Sequence, residues 1–234
     1  MFLLFTLACI RYPTEDHRVD EMSLSYSVLA EDLEEASVRV QLSLGNGPFS
    51  SDLILSPQDS LYIEHDGDSY ILDKKDFSFL VSANVEYIAT IPYSDPTKPF
   101  TLVFERPTEQ YKTDVYLAND FSVSLEEAPF AFTSEKDLPV NVRWTSIHTT
   151  SDIRVGVLHT DCVSYLSESV ENTGEANVEI RLHDSVERVG VWDFLCPVEV
   201  YVSATTVGNA PDFRESYVRG YQKRFSYIKV FYLP

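Results

Sequence analysis

Alternation of apolar and polar residues with period two runs through most of this chain. Val38-Arg39-Val40-Gln41-Leu42-Ser43-Leu44 is the clearest case, the pattern of a strand with one face buried. Gly45-Asn46-Gly47-Pro48 closes it with turn residues. Leu61-Tyr62-Ile63-Glu64-His65 and Ser69-Tyr70-Ile71-Leu72 flank Asp66-Gly67-Asp68. Asp-Gly between two such runs predicts a tight hairpin. Residues 87–91 and 100–104 read as two further strands, separated by a loop with three prolines. In the second half, 138–144, 153–157 and 178–182 alternate again, and 197–202 follows Cys196. The closing run 224–232 is apolar on both faces, which predicts a strand that is centrally placed or covered.

No window carries convincing helical periodicity. Residues 29–36, Leu-Ala-Glu-Asp-Leu-Glu-Glu-Ala, are read as one or two helical turns or as a charged loop. Many short strands with turn signals every 8–12 residues or so predict an all-β protein of sandwiches. The 234 residues suit two domains of roughly 100 residues, each the size of an immunoglobulin-like sandwich. The expected division is a leader-like segment and tether over 1–22, a first sandwich over 23–128 and a second over 129–234, with the boundary in Glu126-Glu127-Ala128-Pro129-Phe130.

Charge narrows the partners. Eighteen Lys and Arg stand against 37 Asp and Glu, a net charge of -19, and both halves are acidic. Such a chain repels phosphate backbones, so nucleic acid is not an expected partner. Hydrophobic residues at 44% are enough for buried cores.

The amino terminus, Met1 to Ile10, is apolar but far short of the roughly 20 residues of a membrane span. It reads as the end of an export leader. Thr6-Leu7-Ala8-Cys9 resembles a bacterial lipoprotein processing site, with an aliphatic residue the usual occupant of the Thr6 position; the resemblance implies a lipid anchor at Cys9, the expected membrane link. Residues 12–18 read as its polar tether. Cys162 and Cys196 lie in apolar stretches of the second half. In an exported protein they pair; the alternative is two buried free thiols.

Taken in order, 38–42, Asp59-Ser60-Leu61, the Asp-Gly hairpin, 100–106, 138–144, the central Cys162, 196–200 and the closing strand resemble bacterial envelope lipoproteins built of two immunoglobulin-like sandwiches. The resemblance covers residues 38 to the end. It supports the fold, the Cys162–Cys196 disulfide and a place in the envelope, periplasm or secreted fraction. No activity is attached to that family, so it transfers no functional residues.

Chemistry-bearing clusters are few. Gly67-Asp68-Ser69-Tyr70 resembles the start of a lipase GDS motif, but it sits in a β-hairpin rather than an α/β turn, so no catalytic residue is expected. His159 and Cys162 fall on opposite faces of a strand. Glu64, Asp66 and Asp68 crowd the hairpin; hard oxygens of this kind hold Ca²⁺ in some loops, and elsewhere are solvated charges that guard a sheet edge. No other cofactor is expected. Arg214, Tyr217, Arg219, Tyr221 and Arg224 form a basic, aromatic stretch, read as an interface or as core and cross-strand pairs. The leading expectation is a non-enzymatic binding or scaffolding protein with a protein or glycan partner. The alternatives are a carbohydrate-binding module, with Trp144, Trp192 or surface tyrosines as platform, and a hydrolase, which needs two carboxylates roughly 5–10 Å apart.

Overall fold

The computed structural model describes residues 11–32, 34–45, 51–79, 82–93, 95–126, 130–133, 137–145, 147, 152–158, 160, 162–182 and 194–232. It is all-β and divides into two compact units. Unit 1 comprises the described residues up to Leu117 together with Val207–Gly220; unit 2 comprises Ala118–Thr206 and the described residues from Tyr221 onward. The first crossing thus lies at Leu117–Ala118 rather than within 126–130, and the chain re-enters unit 1 near its end.

In unit 1, strands β1 (Tyr12–Pro13), β2 (Met22–Ala30), β3 (Glu35–Leu44) and β4 (Ser51–Ile54) share a sheet with β7 (Asp73–Phe79) and β8 (Ser82–Pro92). β3 is its spine: β2 pairs along one edge, and β8 and β4 share the other. β7 pairs with β8. The second sheet runs β6 (Asp68–Ile71), β5 (Ser60–His65), β9 (Phe100–Glu105), β10 (Gln110–Val115). The orders β2-β3-β8-β7 and β6-β5-β9-β10 are the A-B-E-D and C′-C-F-G sheets of an immunoglobulin-like sandwich.

Burial follows the alternation. Met22, Leu24, Tyr26, Val28 and Ala30 of β2 meet Leu61, Ile63, Phe100, Leu102 and Phe104 of the opposite sheet in one core. The Tyr26 hydroxyl donates to the Phe100 carbonyl (2.9 Å), which satisfies a polar group buried between the sheets. The acidic stretch around 31–34 is the β2–β3 loop and not a helix; Asp32 Oδ1 accepts from the backbone N–H of Glu34 and Glu35.

The stretch read as a tether is built into unit 1. β1 runs parallel to β4, and single 3₁₀ turns follow at Thr14–Asp16 and Val19–Glu21. Thr14 Oγ1 donates to Asp59 (2.5 Å) and accepts from Ser56 N (3.0 Å). Arg106 donates to the carbonyls of His17 and Thr14 (2.9 and 3.0 Å) and lies 3.7 Å from Asp59. Removing the Asp59 carboxylate takes the 2.5 Å acceptor from the buried Thr14 hydroxyl and the counter-charge from the mostly buried Arg106 guanidinium. Asp59→Ala is expected to cost about 2 kcal/mol and to speed proteolysis at 11–21, measured by chemical denaturation and limited digestion. Unchanged stability would contradict this account of the segment.

Residues 207–220 also belong to the unit 1 core, through Ala210, Phe213 and Val218. Phe213 packs 6.4 Å from the rings of Phe104 and Tyr111, and Arg214 N donates to Met22 O (2.9 Å).

In unit 2, β11 (Val123–Leu125), β13 (Asp137–Trp144) and β16 (Glu175–Arg181) form one sheet. The other runs β12 (Phe130–Thr133), β18 (Glu215–Tyr232), β17 (Phe194–Val207), β14 (Asp152–Val157), β15 (Leu166–Val170), with β12 parallel to β18. These orders are A-B-E and A′-G-F-C-C′, again immunoglobulin-like. β18 is paired on both sides, with β12 and β17, while its outer face carries the exposed Tyr227 and Lys229. Val140, Val142 and Trp144 pack on Ile153, Val155, Val198, Val200 and Ile228.

Candidate functional site

The Asp-Gly hairpin forms as predicted. Asp66 (φ +52°) and Gly67 (φ +90°) are both left-handed, the geometry of a type I′ turn. Paired residues of an antiparallel ladder share a face. Glu64 pairs with Ser69 and His65 with Asp68, so Glu64 and Asp68 lie on opposite faces. Glu64 accepts from Lys112 Nζ (2.7 Å), and Asp66 is bonded to Lys98. A shallow depression of about 300 Å³ lies here, lined in part by Glu64, Asp66, Asp68, Lys98 and Thr101. The pleat sets Glu64 and Asp68 on opposite faces, and the ammonium groups of Lys112 and Lys98 pair with Glu64 and Asp66. Among the described residues no group of three or more His, Cys, Asp or Glu is placed to hold a metal. His65 is a core residue stacked on Phe100 (centroids 3.9 Å) and bonded through Nδ1 to the Pro99 carbonyl (3.0 Å). It faces away from Ser69, so the hairpin gives that hydroxyl no base from His65.

The basic, aromatic stretch is divided between the units. In unit 1, Arg214 is exposed, and the Arg219 guanidinium stands 4.9 Å over the half-exposed Tyr217 ring. In unit 2, Tyr221 is half-buried. Arg224 is a structural residue with an 11% exposed side chain: it bonds Asp120 (3.0 Å), lies 5.8 Å over the Phe121 ring and donates to the Lys223 carbonyl. Gln222, with its amide oriented to satisfy both ends, accepts from Arg224 (2.8 Å) and donates to the Ala118 carbonyl.

A different cluster stands on the outer face of the larger sheet of unit 2. Gly156 of β14 pairs with Tyr201 on one side and Ser167 on the other. A Cβ at Gly156 would lie 2.7 Å from the Tyr201 ring and collide with the Leu166 carbonyl. The glycine therefore lets the Tyr201 ring lie against β14. Tyr201 is 3% exposed, yet its hydroxyl meets that of Tyr165 at 3.0 Å, and Tyr165 is 60% exposed. Phe225 meets Tyr201 edge-on (6.4 Å), and Lys223 Nζ lies 5.6 Å from its centroid. Arg154, two residues along β14 on the same face, pairs with Ser203 and Ser169; Asp152 approaches it at 3.8 Å and both remain more than half exposed. Tyr227, also exposed, donates to Glu199 (2.9 Å).

Hydrogen bonding from Tyr201, then Ser167, then the charges of Lys223 and Arg154 hold the Tyr165 hydroxyl below the usual tyrosine range. Burial, first among its causes, raises Tyr201. An alkaline absorbance titration at ~295 nm is expected to begin below the ordinary phenol value of about 10, with that first step missing in Tyr165→Phe. An identical curve for the variant would refute the assignment. Sequence reasoning missed this cluster. The available signal was a glycine inside a strand, Val155-Gly156-Val157.

The expected disulfide is present. Cys162 and Cys196 are both buried and bonded, with Cα atoms 6.0 Å apart. Cys196 lies in β17, and Cys162 sits beside the bridge that joins Val163 to Leu182. The Cys162 thiol is thus not a free nucleophile. Trp144 is buried and donates to Asn172 (3.2 Å), so it is not a sugar platform. Cys9, His159 and Trp192 lie outside the described residues.

No described protein family matches the sequence, and no curated protein matches it. Solved structures align over most of the chain at low similarity. Two tandem immunoglobulin domains of titin share 10% identity at a TM-score of 0.26, covering 93% of this chain and 96% of that one. The ectodomain of mouse nectin-like molecule 4 shares 10% at 0.28, covering 92% and 65%. Bovine butyrophilin shares 8% at 0.21, covering 88% and 98%. The immunoglobulin-like assignment stands on this chain's own strand order, and likenesses this distant assign no function.

Proposed function

We propose that this is a non-enzymatic binding or scaffolding protein of an extracytoplasmic compartment, the cell envelope or the secreted fraction. Its binding surface is the outer face of unit 2 around Tyr201. The carrying observation is the Gly156 niche: a strand gives up its side chain so that a tyrosine pair, flanked by Arg154 and Lys223, is presented on a sheet face. A buried disulfide fits an oxidising compartment. Aromatic rings beside cations are the residue types that anchor interfaces, and this group lies on a chain of net charge -19. Lipidation of Cys9 belongs to the same reading, and intact mass of the mature protein tests it.

The test is retention of envelope proteins and glycans from the source cells on immobilised, oxidised protein. Arg154→Glu with Lys223→Glu is expected to abolish retention that Lys112→Glu, in unit 1, leaves intact. Retention indifferent to the first pair would overturn the reading.

A further inference from the structure

The geometry points to a carboxylated glycan as the ligand of this face, one that lays a sugar ring on Tyr165 and directs its carboxylate to Arg154 and Lys223. This rests on the binding reading above and names its ligand class. Three observations carry it.

The first is the presentation of rings. Tyr165 is 60% exposed and is anchored at its hydroxyl by Tyr201, itself seated on Gly156. A ring held by its polar end offers its face with little conformational entropy left to lose, the condition for stacking on the C–H face of a sugar.

The second is the density of hydroxyls. Ser167 and Ser169 on β15 occupy outward positions beside Gly156 and Arg154, with Ser169 donating to Asp152, and the hydroxyl of the exposed Tyr165 meets that of Tyr201 beside them; Ser203, in register with Arg154, is buried. Each donates and accepts, as a polyhydroxylated ligand requires. The backbone groups of β14 are spent on its ladders with β15 and β17, so at Gly156 and Arg154 recognition falls to side chains.

The third is charge. Arg154 projects with a side chain 55% exposed, and Lys223 stands over the Tyr201 ring. Two carboxylates of the face are engaged by its own side chains: Glu199 accepts from Tyr227, and Asp152 accepts from Ser169 and lies 3.8 Å from Arg154. On an acidic molecule this is where an anion is tolerated, and a guanidinium with its fork of donors fits a carboxylate.

The test is calorimetric titration of the intact, oxidised protein with tri-galacturonic acid at low ionic strength, against its fully methyl-esterified, neutral form. The acid is expected to bind and the ester to bind at least tenfold more weakly. Arg154→Gln and Lys223→Gln are each expected to weaken the acid at least tenfold. Tyr165→Ala abolishes binding while Tyr165→Phe, which keeps the ring, retains part of it. Near-ultraviolet circular dichroism confirms the fold of each variant. No binding of the acid, equal binding of acid and ester, or binding unchanged in Tyr165→Ala would overturn the proposal. If the acid fails while retention of another partner is still lost in Arg154→Glu with Lys223→Glu, the ligand class falls and the binding face stands. If retention also ignores those substitutions, both fall.

Discussion

Gly156→Ala is expected to destabilise unit 2 by about 3 kcal/mol, the upper end of the usual cost of overpacking. The added Cβ meets two neighbours, the Tyr201 ring at 2.7 Å and the backbone carbonyl of Leu166. The ring can swing away, but the carbonyl belongs to the β14–β15 ladder, in which Val157 pairs with Leu166, and moves only if that pairing opens. A double substitution separates the two. Gly156→Ala with Tyr201→Ala removes the ring clash and leaves the carbonyl, so it is expected to cost less than the sum of the two single substitutions but more than Tyr201→Ala alone. Thermal denaturation is expected to show a fall of about 10 °C or more in the affected transition. Gly156→Ala with wild-type stability would mean that the niche is not packed as described.

Reducing the Cys162–Cys196 bond, or replacing both residues by serine, is expected to cost unit 2 about 3–4 kcal/mol. Closing a loop between these positions, 34 apart, removes that much chain entropy from the unfolded state. The loop contains β15 and β16 and the bridge from Val163 to Leu182, so the crosslink ties the C–C′ crossing to β17. Denaturation with and without reductant checks the magnitude. Equal midpoints under the two conditions would contradict a structural role for the disulfide.

Where apolar alternation coincides with burial, the fold is legible in the chain. Residues 38–44, 61–65, 100–104, 138–144 and 153–157 are strands because every second side chain enters a core. The Asp66-Gly67 turn is legible because only a left-handed pair closes a two-residue hairpin. β7, with Asp73-Lys74-Lys75-Asp76, and β10, with Gln110-Tyr111-Lys112, are sheet edges held through backbone pairing, and their polar runs carry little apolar signature. β2 carries a full alternation from Met22 to Ala30, obscured by its serines and the acidic run behind it.

The passage of β17 and β18 between the units is not legible at all. The β17 crossing, at Thr206–Val207, falls on the last residues of that strand, just ahead of Gly208, and the β18 crossing, at Gly220–Tyr221, lies inside a continuous strand. The division is set by which core receives Phe213 and Val218, not by any local break. The tether reading failed for a related reason. Thr14 and Asp59 are polar, and only their mutual bond lets them be buried.

The candidate site was legible only in its residue types. Arginines and aromatics near the carboxyl end pointed to a binding surface, but Arg224 is consumed by Asp120 and Phe121. The residues that form the face come from β14, β15, β17 and β18, joined by register. Register is a property of the folded sheet, and only the glycine at 156 announced it.

The central claim is that ligand meets the outer face of unit 2 at Tyr165. Hydroxyl-radical footprinting of the intact protein, free and with the bound ligand, tests it most directly. The account predicts protection of Tyr165 and Tyr227, with Ile71 of unit 1, exposed at 83%, oxidised equally in both states. Protection of Ile71 or Tyr217 with Tyr165 unchanged would contradict it.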